Sequence, residues 1–385
     1  MKSALIVAAL LAAGTSMGIS GYRAAASAEN VLDVGCKSAY VCDFDTQTCV
    51  YAKNETVRLP IASMCKIMTL LLTFEAIEGG ELSYDDAVCV SERASSMGGS
   101  QVFLDTGLSY RAEDLMRSVA VCSANDSCVA LSERVAGSEE AFVERMNGRA
   151  RELGADNTLF ANCTGLPKDP QYSCAKDVSA MLGELLKHEK YYDFCKVWNE
   201  DFQHPDGRTT QMTNTNKLIR AYQGCDGGKT GFTNEAGFCL AATAKRGDMR
   251  VISVVIGAES SKVRNKGISD CFNYCFDQYE NKPVLKAGEK LENPLNVRGS
   301  KVKEIGIAAK ENLTVFQKKG ANGEFTIEYD LPQEVKAPVS SGDCVGYATL
   351  YLNGMQCGKT ELVAVDEANA YTWWEAYRDG ARKWN

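Results

Sequence analysis

The sequence predicts an α+β protein in which a half mixing helices with an antiparallel sheet is followed by a small all-β domain. Three observations carry that prediction. Helical apolar periods recur between residues 30 and 280. One long pair of β-branched, apolar segments interrupts them, Gly237 to Ala244 and Met249 to Gly257, joined by Lys245-Arg246-Gly247-Asp248 as a hairpin. After Glu280-Asn281-Lys282-Pro283 the helical period stops and only short alternating segments follow.

The elements follow in chain order. Lys2 precedes Ala4 to Ala13, an apolar run too short to span a bilayer, and Ala26-Ser27-Ala28 gives a small-x-small cleavage pattern. Residues 1–28 therefore read as an export signal, with Glu29 first in a mature protein that works outside the cytoplasm; a retained membrane anchor is the alternative. Val31 to Tyr51 reads as two short strands around a turn at Asp43-Phe44-Asp45-Thr46. Pro60 introduces Ile61 to Glu78, apolar on nearly every side and ended by Gly79-Gly80, which is the pattern of a buried helix. Tyr110 to Cys122, Ser138 to Leu153, Asp177 to His188 and Ser261 to Tyr279 read as further helices. These assignments give a catalytic-half domain over 29–282.

Residues 283–365 then read as a β-rich domain, with strands at Val302 to Ile307, Leu313 to Gln317, Phe325 to Leu331, Gly346 to Leu352 and Glu361 to Ala364. The tail, 366–385, places Trp373, Trp374, Tyr377 and Trp384 largely on one helical face. Two readings fit it: an amphipathic helix on a membrane surface, or a terminal helix docked on its own domain.

Charge and cysteine usage narrow the function. Removing the first 28 residues leaves 40 basic and 50 acidic residues, so no basic face is available for nucleic acid. Among the 16 cysteines, Cys65, Cys122, Cys128, Cys174, Cys239, Cys271 and Cys275 fall inside apolar patterns, where Cys acts as a small hydrophobe. Mostly free thiols are expected, with Cys344 and Cys357, flanking a hairpin, as the best-placed pair for a bridge. No C-x-x-C occurs and the only histidines are His188 and His204, so no metal site is expected.

Two histidines outside any nucleophile-elbow pattern also argue against a Ser/His/Asp triad; both read as surface residues. A lysine is the next candidate base. Ser63-Met64-Cys65-Lys66 puts a hydroxyl and an amine on one helical face, at a helix start with free backbone N–H groups. The motif alone is weak, since Ser173-Cys174-Ala175-Lys176 and Ser300-Lys301-Val302-Lys303 match it. Only the first is followed by Ser123-Ala124-Asn125, between two helices, and then by Lys229-Thr230-Gly231, opening a strand. Ser123 can relay a proton, and Asn125 can hold Lys66 or a substrate carbonyl. Lys229 and Thr230 can bind a carboxylate, and Gly231 lets a substrate backbone lie on the strand edge.

With those motifs in order, the chain resembles the low-molecular-mass penicillin-binding proteins, D-Ala-D-Ala carboxypeptidases of the serine β-lactamase-like superfamily. The likeness extends to Lys66-Ile67-Met68-Thr69, Gly98-Gly99-Ser100, Ser123 through Asp126, Met146-Asn147, Gly165-Leu166-Pro167 and Asp226 through Gly231. It implies a β-lactamase/transpeptidase-like catalytic domain in which Ser63 is the acylated nucleophile and Lys66 the proton acceptor. Ser123 and Asn125 form the second motif, and Lys229 and Thr230 hold the terminal carboxylate. Backbone N–H groups of Ser63 and Phe232 form the oxyanion hole. It further implies peptidoglycan stem peptides ending in D-Ala-D-Ala as substrate, β-lactams as inhibitors, and neither metal nor cofactor. Cys65, Ala124 and Gly228 depart from the family's usual Thr, Gly and a bulkier residue. Rival readings are a class A-like β-lactamase, a D,D-endopeptidase and a non-catalytic wall-binding protein. No E-x-x-L-N stretch, the mark of the first, lies between Asn125 and Lys229.

Overall fold

The computed structural model describes residues 32–375 apart from Asn322; the expected export signal and the tail after 375 lie outside the described residues. Strands β1 (Ser38–Asp43) and β2 (Cys49–Lys53) open the chain, and a 3₁₀ turn, Ala62–Cys65, runs into α1 (Lys66–Glu78). A two-stranded ladder, β3 (Ala87–Cys89) with β4 (Ser109–Arg111), encloses the short α2 (Glu92–Ser95). Helices α3 (Ala112–Val121), α4 (Asn125–Ala136), α5 (Glu139–Glu152), α6 (Ala175–Leu185) and α7 (Glu189–Cys195) follow. Next come the hairpin β5 (Asn199–Gln203)–β6 (Thr209–Thr213), the single-turn α8 (Leu218–Ala221), then β7 (Cys225–Thr233), β8 (Gly237–Arg246), β9 (Met249–Ala258) and α9 (Ser261–Gln278).

One antiparallel sheet, ordered β2-β1-β9-β8-β7, divides this half into two cores. On one face α9 lays Ile268, Cys271, Phe272 and Cys275 against Val41, Leu240, Val251 and Val255. The other face carries the helices, with α1 at their centre. Met64, Ile67, Met68 and Leu70 are wholly buried, as the all-round apolar sequence of α1 requires. Capping fixes the ends of α5 and α9: Ser138 Oγ accepts the Ala141 N–H and Ser260 Oγ that of Val263.

The second part comprises β10 (Tyr279–Leu285), β11 (Leu295–Arg298), β12 (Glu304–Ile305), β13 (Ile307–Ala309), β14 (Leu313–Lys318), β15 (Phe325–Asp330), β16 (Glu334–Lys336), β17 (Cys344–Leu352) and β18 (Met355–Ala364). Its own core joins Leu295, Ile305, Val315, Leu350 and Leu362. The α+β reading with a following all-β part therefore holds.

Several expectations need correction. The helix expected from Tyr110 begins at Ala112, because Tyr110 pairs with Val88 and its side chain is needed elsewhere in the core. The divide expected at 282/283 falls inside β10, which pairs with β14 from Tyr279 onward. Residues 366–372 are not helical, since Ala368 bridges Val339 and is buried; the helix starts at Trp373, and Lys301 pairs with Glu375 at 2.5 Å. That part of the tail docks on its own domain. All sixteen cysteines are unpaired. Cys344 faces Val363 across the β17–β18 ladder, six residues from Cys357, and at ~3.3 Å per residue the two thiols are far beyond bridging distance.

Candidate active site

Ser63 sits in the 3₁₀ turn, where the chain makes a sharp entry into α1. Ala62, just before it, holds a left-handed φ of +49°, a costly conformation for a residue with a Cβ. Gly165 braces it: with φ +79°, it approaches so closely that a Cβ there would lie 2.0 Å from the Ala62 carbonyl oxygen and 2.9 Å from the Ser63 nitrogen.

One turn on, Lys66 is wholly buried and its Nζ donates to Ser63 Oγ at 3.1 Å. Its second partner is the Thr164 carbonyl at 2.5 Å. The loop that supplies this carbonyl is laid along α1 by three consecutive acceptors. Asn162 O accepts from Cys65 Sγ, Cys163 O from Thr69 Oγ1 and Thr164 O from Lys66. Glu139 anchors the same loop from outside, taking the Cys163 N–H at 3.1 Å while paired with Arg93.

The second motif faces this dyad from the α3–α4 junction. Ser123 has φ +67°, which projects its hydroxyl out of the helical path to meet Lys229 Nζ at 2.8 Å. Asn125 opens α4, with its N–H on Ser100 O and its Nδ2 on Gly98 O, each at 2.7 Å. Its Oδ1 is buried and makes no hydrogen bond among the described residues. Asp126 holds the neighbouring loop through the N–H groups of Val102 and Leu104.

The third motif lies on β7, the outermost strand of the sheet, so one strand edge is left open beside the 3₁₀ turn. Lys229 stands mid-strand rather than at its start. Glycines at 227 and 228 lengthen the strand at its beginning by a bulge, and Gly228 explains its own identity: φ is +126° and a Cβ would meet Ala241 O at 2.2 Å. Thr230 Oγ1 donates to Thr215 Oγ1 at 2.7 Å. A Cβ on Gly231 would lie 2.6 Å from Ile61 O and 3.2 Å from Ser63 N, so glycine sets how closely β7 meets the nucleophile turn. Phe232 is exposed, its ring 4.4 Å from that of Phe238 and tilted to it.

Electrostatics distinguish the groups. Burial, then the nearby charge of Lys66, push the Lys229 ammonium down to about 7. No carboxylate lies within 4 Å of either lysine nitrogen among the described residues. Burial pushes the Cys122 and Cys128 thiols up to about 12, which removes both as rival thiolate nucleophiles.

Contacts thus join Ser63 to Lys66, Ser123 to Lys229 and the Gly231 position to Ser63, with Thr230 and Phe232 flanking Gly231 on β7 and Asn125 two residues from Ser123 at the start of α4. Neither histidine joins them. His188 stacks on Phe74 and binds Glu78. His204, expected at the surface, is buried: Tyr110 and Thr210 contact its two ring nitrogens, because the β5–β6 hairpin folds its tip beneath Tyr110. Sequence reasoning missed Thr164, Glu139 and Thr215, and named Gly165 only within a family-like segment, without its role. Thr164 acts through its carbonyl, which leaves no side-chain signal, and Thr215 lies fifteen residues from its partner.

Known proteins resemble this chain in sequence and fold. Residues 24–260 match the family described as D-alanyl-D-alanine carboxypeptidase, and residues 279–369 match penicillin-binding protein 5, C-terminal domain. The chain is 38% identical over 332 residues to the D-alanyl-D-alanine carboxypeptidase DacF of Bacillus subtilis, covering 86% of this chain and 85% of that one. Its fold matches penicillin binding protein 5 from Haemophilus influenzae, with a TM-score of 0.68 and 27% identity, over 88% of this chain and 98% of that one. It also matches penicillin-binding protein D2 from Listeria monocytogenes in an ampicillin-bound form, with a TM-score of 0.57 and 29% identity, over 64% of this chain and 99% of that one.

Proposed function

The chain belongs to the D-alanyl-D-alanine carboxypeptidase family, and from that premise we propose that Ser63 is the nucleophile with which it removes the terminal D-alanine of peptidoglycan stem peptides. The enzyme is a serine-type hydrolase. A stem peptide ending in D-Ala-D-Ala adds along the open edge of β7, its carboxylate held by the Lys229 ammonium and the Thr230 hydroxyl. Gly231 lets the peptide backbone approach.

Lys66 Nζ takes the Ser63 proton as Oγ attacks the penultimate carbonyl. The N–H groups of Ser63 and Phe232 receive the oxyanion. Collapse breaks the peptide bond, and Ser123 passes a proton to the leaving D-alanine nitrogen. Asn125 offers its unpaired Oδ1 to Lys66 or to a substrate N–H. Water then attacks the ester, releasing the shortened peptide and restoring Ser63.

One observation carries this reading: the Lys66 amine, wholly buried and with no carboxylate partner among the described residues, lies 3.1 Å from the Ser63 hydroxyl. Lack of a carboxylate beside Lys66 also disfavours the β-lactamase alternative, which needs one to activate deacylating water. Penicillin is read here as a mimic of the substrate that stops at the ester. Incubation with penicillin followed by peptide mass mapping should place one adduct on the peptide containing Ser63, and none in Ser63→Ala. An adduct elsewhere, or none in the native enzyme, overturns the assignment. The same reading puts the mature enzyme outside the cytoplasm with Glu29 first, which N-terminal sequencing checks.

A further inference from the structure

Strands β1 and β2 hold the one place in the described ladders where cysteine faces cysteine: Cys42 pairs with Cys49. Elsewhere Cys89 faces Ser109, Cys225 faces Ala244, Cys239 faces Gly231 and Cys344 faces Val363. Asp43 donates its N–H to Thr48 O at 3.1 Å, one step nearer the turn, so Cys42 and Cys49 form the adjacent pair with no hydrogen bond between them. Cα atoms in such a pair lie about 4.5 Å apart, where side chains are closest. A disulfide accepts Cα separations from about 4.4 to 6.8 Å.

Both side chains take one face of the sheet. Cys42 lies in the core on the helix side, its thiol 3.3 Å from Ser179 Oγ. The ladder shifts register between Val41 and Cys42, where Val50 and Tyr51 both turn to the α9 side. That extra residue returns Cys49 to the side of Cys42, where the Tyr40 side chain meets it. The two thiols differ in access. Cys49 is exposed, whereas Cys42 is wholly buried and burial pushes its thiol up to about 12. An oxidant therefore meets Cys49 first. Cys65, Cys128 and Cys163 also lie near one another, but all three are buried and offer no such entry.

We propose that Cys42 and Cys49 are a redox modification site, closing to a disulfide when the protein meets a small-molecule disulfide such as oxidised glutathione. The Cys49 thiolate attacks one sulfur of the oxidant, breaking its S–S bond and releasing one thiol. The Cys42 sulfur, giving up its proton, then attacks the Cys49 sulfur and expels the second thiol. Two protein thiols become one disulfide, and the oxidant takes up the two electrons and two protons as two thiols. The bridge pins edge strand β2 beside the turn 43–48. There Asn281 Nδ2, from β10, donates to Asp43 Oδ1 at 2.7 Å and to Asp45 Oδ2 at 3.2 Å. Since β2 and β7 are opposite edges of the sheet, the bridge leaves the Ser63 turn untouched.

The test treats the full chain with oxidised glutathione, blocks remaining thiols with iodoacetamide after denaturation, and maps tryptic peptides by mass. Trypsin cuts after Lys37 and Lys53, so both cysteines travel in one peptide, 38–53. That peptide should lose two hydrogens and gain no alkyl group, and dithiothreitol before blocking should restore both alkylation sites. Oxidation should raise Tm by about 3–5 °C, the scale of one short closed loop, and leave the penicillin acylation rate within about twofold. In Cys49→Ser, Cys42 should stay alkylatable and the gain in Tm should vanish. Two alkylated cysteines after oxidation, glutathione retained on Cys49, or Cys49 joined to a different cysteine overturns the site. A bridged peptide with no gain in Tm overturns the pinning of β2.

Discussion

Two stretches of this chain carry the same S-x-x-K spacing in different surroundings. In the helical half, Ser63 and Lys66 lie on one helical turn, the lysine buried and its amine on the serine hydroxyl. In the β domain, Ser300 turns its hydroxyl to the Val302 N–H, and the exposed Lys303 reaches the Ser300 carbonyl and the Tyr371 hydroxyl. Spacing brings two groups to one face only where the backbone is helical. Burial then separates them further: the first lysine is enclosed beside its serine with no carboxylate within 4 Å among the described residues, while the second lies in solvent. The third match, Ser173 to Lys176, fails similarly: Ser173 binds Thr158, while Lys176 is exposed.

The sharpest way to break this contrast is to remove each lysine. Lys66→Ala should lower the penicillin acylation rate constant by about 10³-fold, within the range of a lost general base, whereas Lys303→Ala should leave it within about twofold. Comparable losses in both would void the contrast.

A smaller effect tests whether closeness of β7 to the nucleophile turn matters as much as the groups themselves. Gly231→Ala inserts a Cβ 2.6 Å from Ile61 O, so β7 must back away from Ser63. Acylation should fall by about 10²-fold, the cost of roughly an ångström of misplacement, with all catalytic side chains intact. An unchanged rate would show that the strand need not touch the turn.

The smallest effect concerns Lys229, buried like Lys66 and pushed down to about 7. Its ammonium is lost from the free enzyme as pH rises through that value, and with it the carboxylate anchor. kcat/KM for a D-Ala-D-Ala peptide should therefore decline above about pH 7, by up to about tenfold per pH unit. Lys229→Arg, which stays charged, should move that limb upward. A limb that stays in place belongs to another group.

Much of the fold was legible because its signals are local. The buried helix from Ile61, the β8–β9 hairpin and the capped helix after Ser138 follow from periodicity, β-branched runs and a serine at a helix start. Boundaries failed where a distant partner overrode the pattern: Val88 draws Tyr110 into a ladder, and Val339 draws Ala368 out of a helix. His204 is polar and follows a strand, yet an aromatic shelf covers it.

The sequence by itself determined the order and chemical identity of the three motifs, since serine, lysine, asparagine and glycine are recognisable one residue at a time. Only the tertiary structure decided which S-x-x-K is buried, that the Thr164 carbonyl holds the lysine, and that Thr215 joins Thr230. Those outcomes depend on contacts between residues far apart in the chain and on the exclusion of water. Local sequence encodes neither, because both arise only when the sheet and helices close on one another.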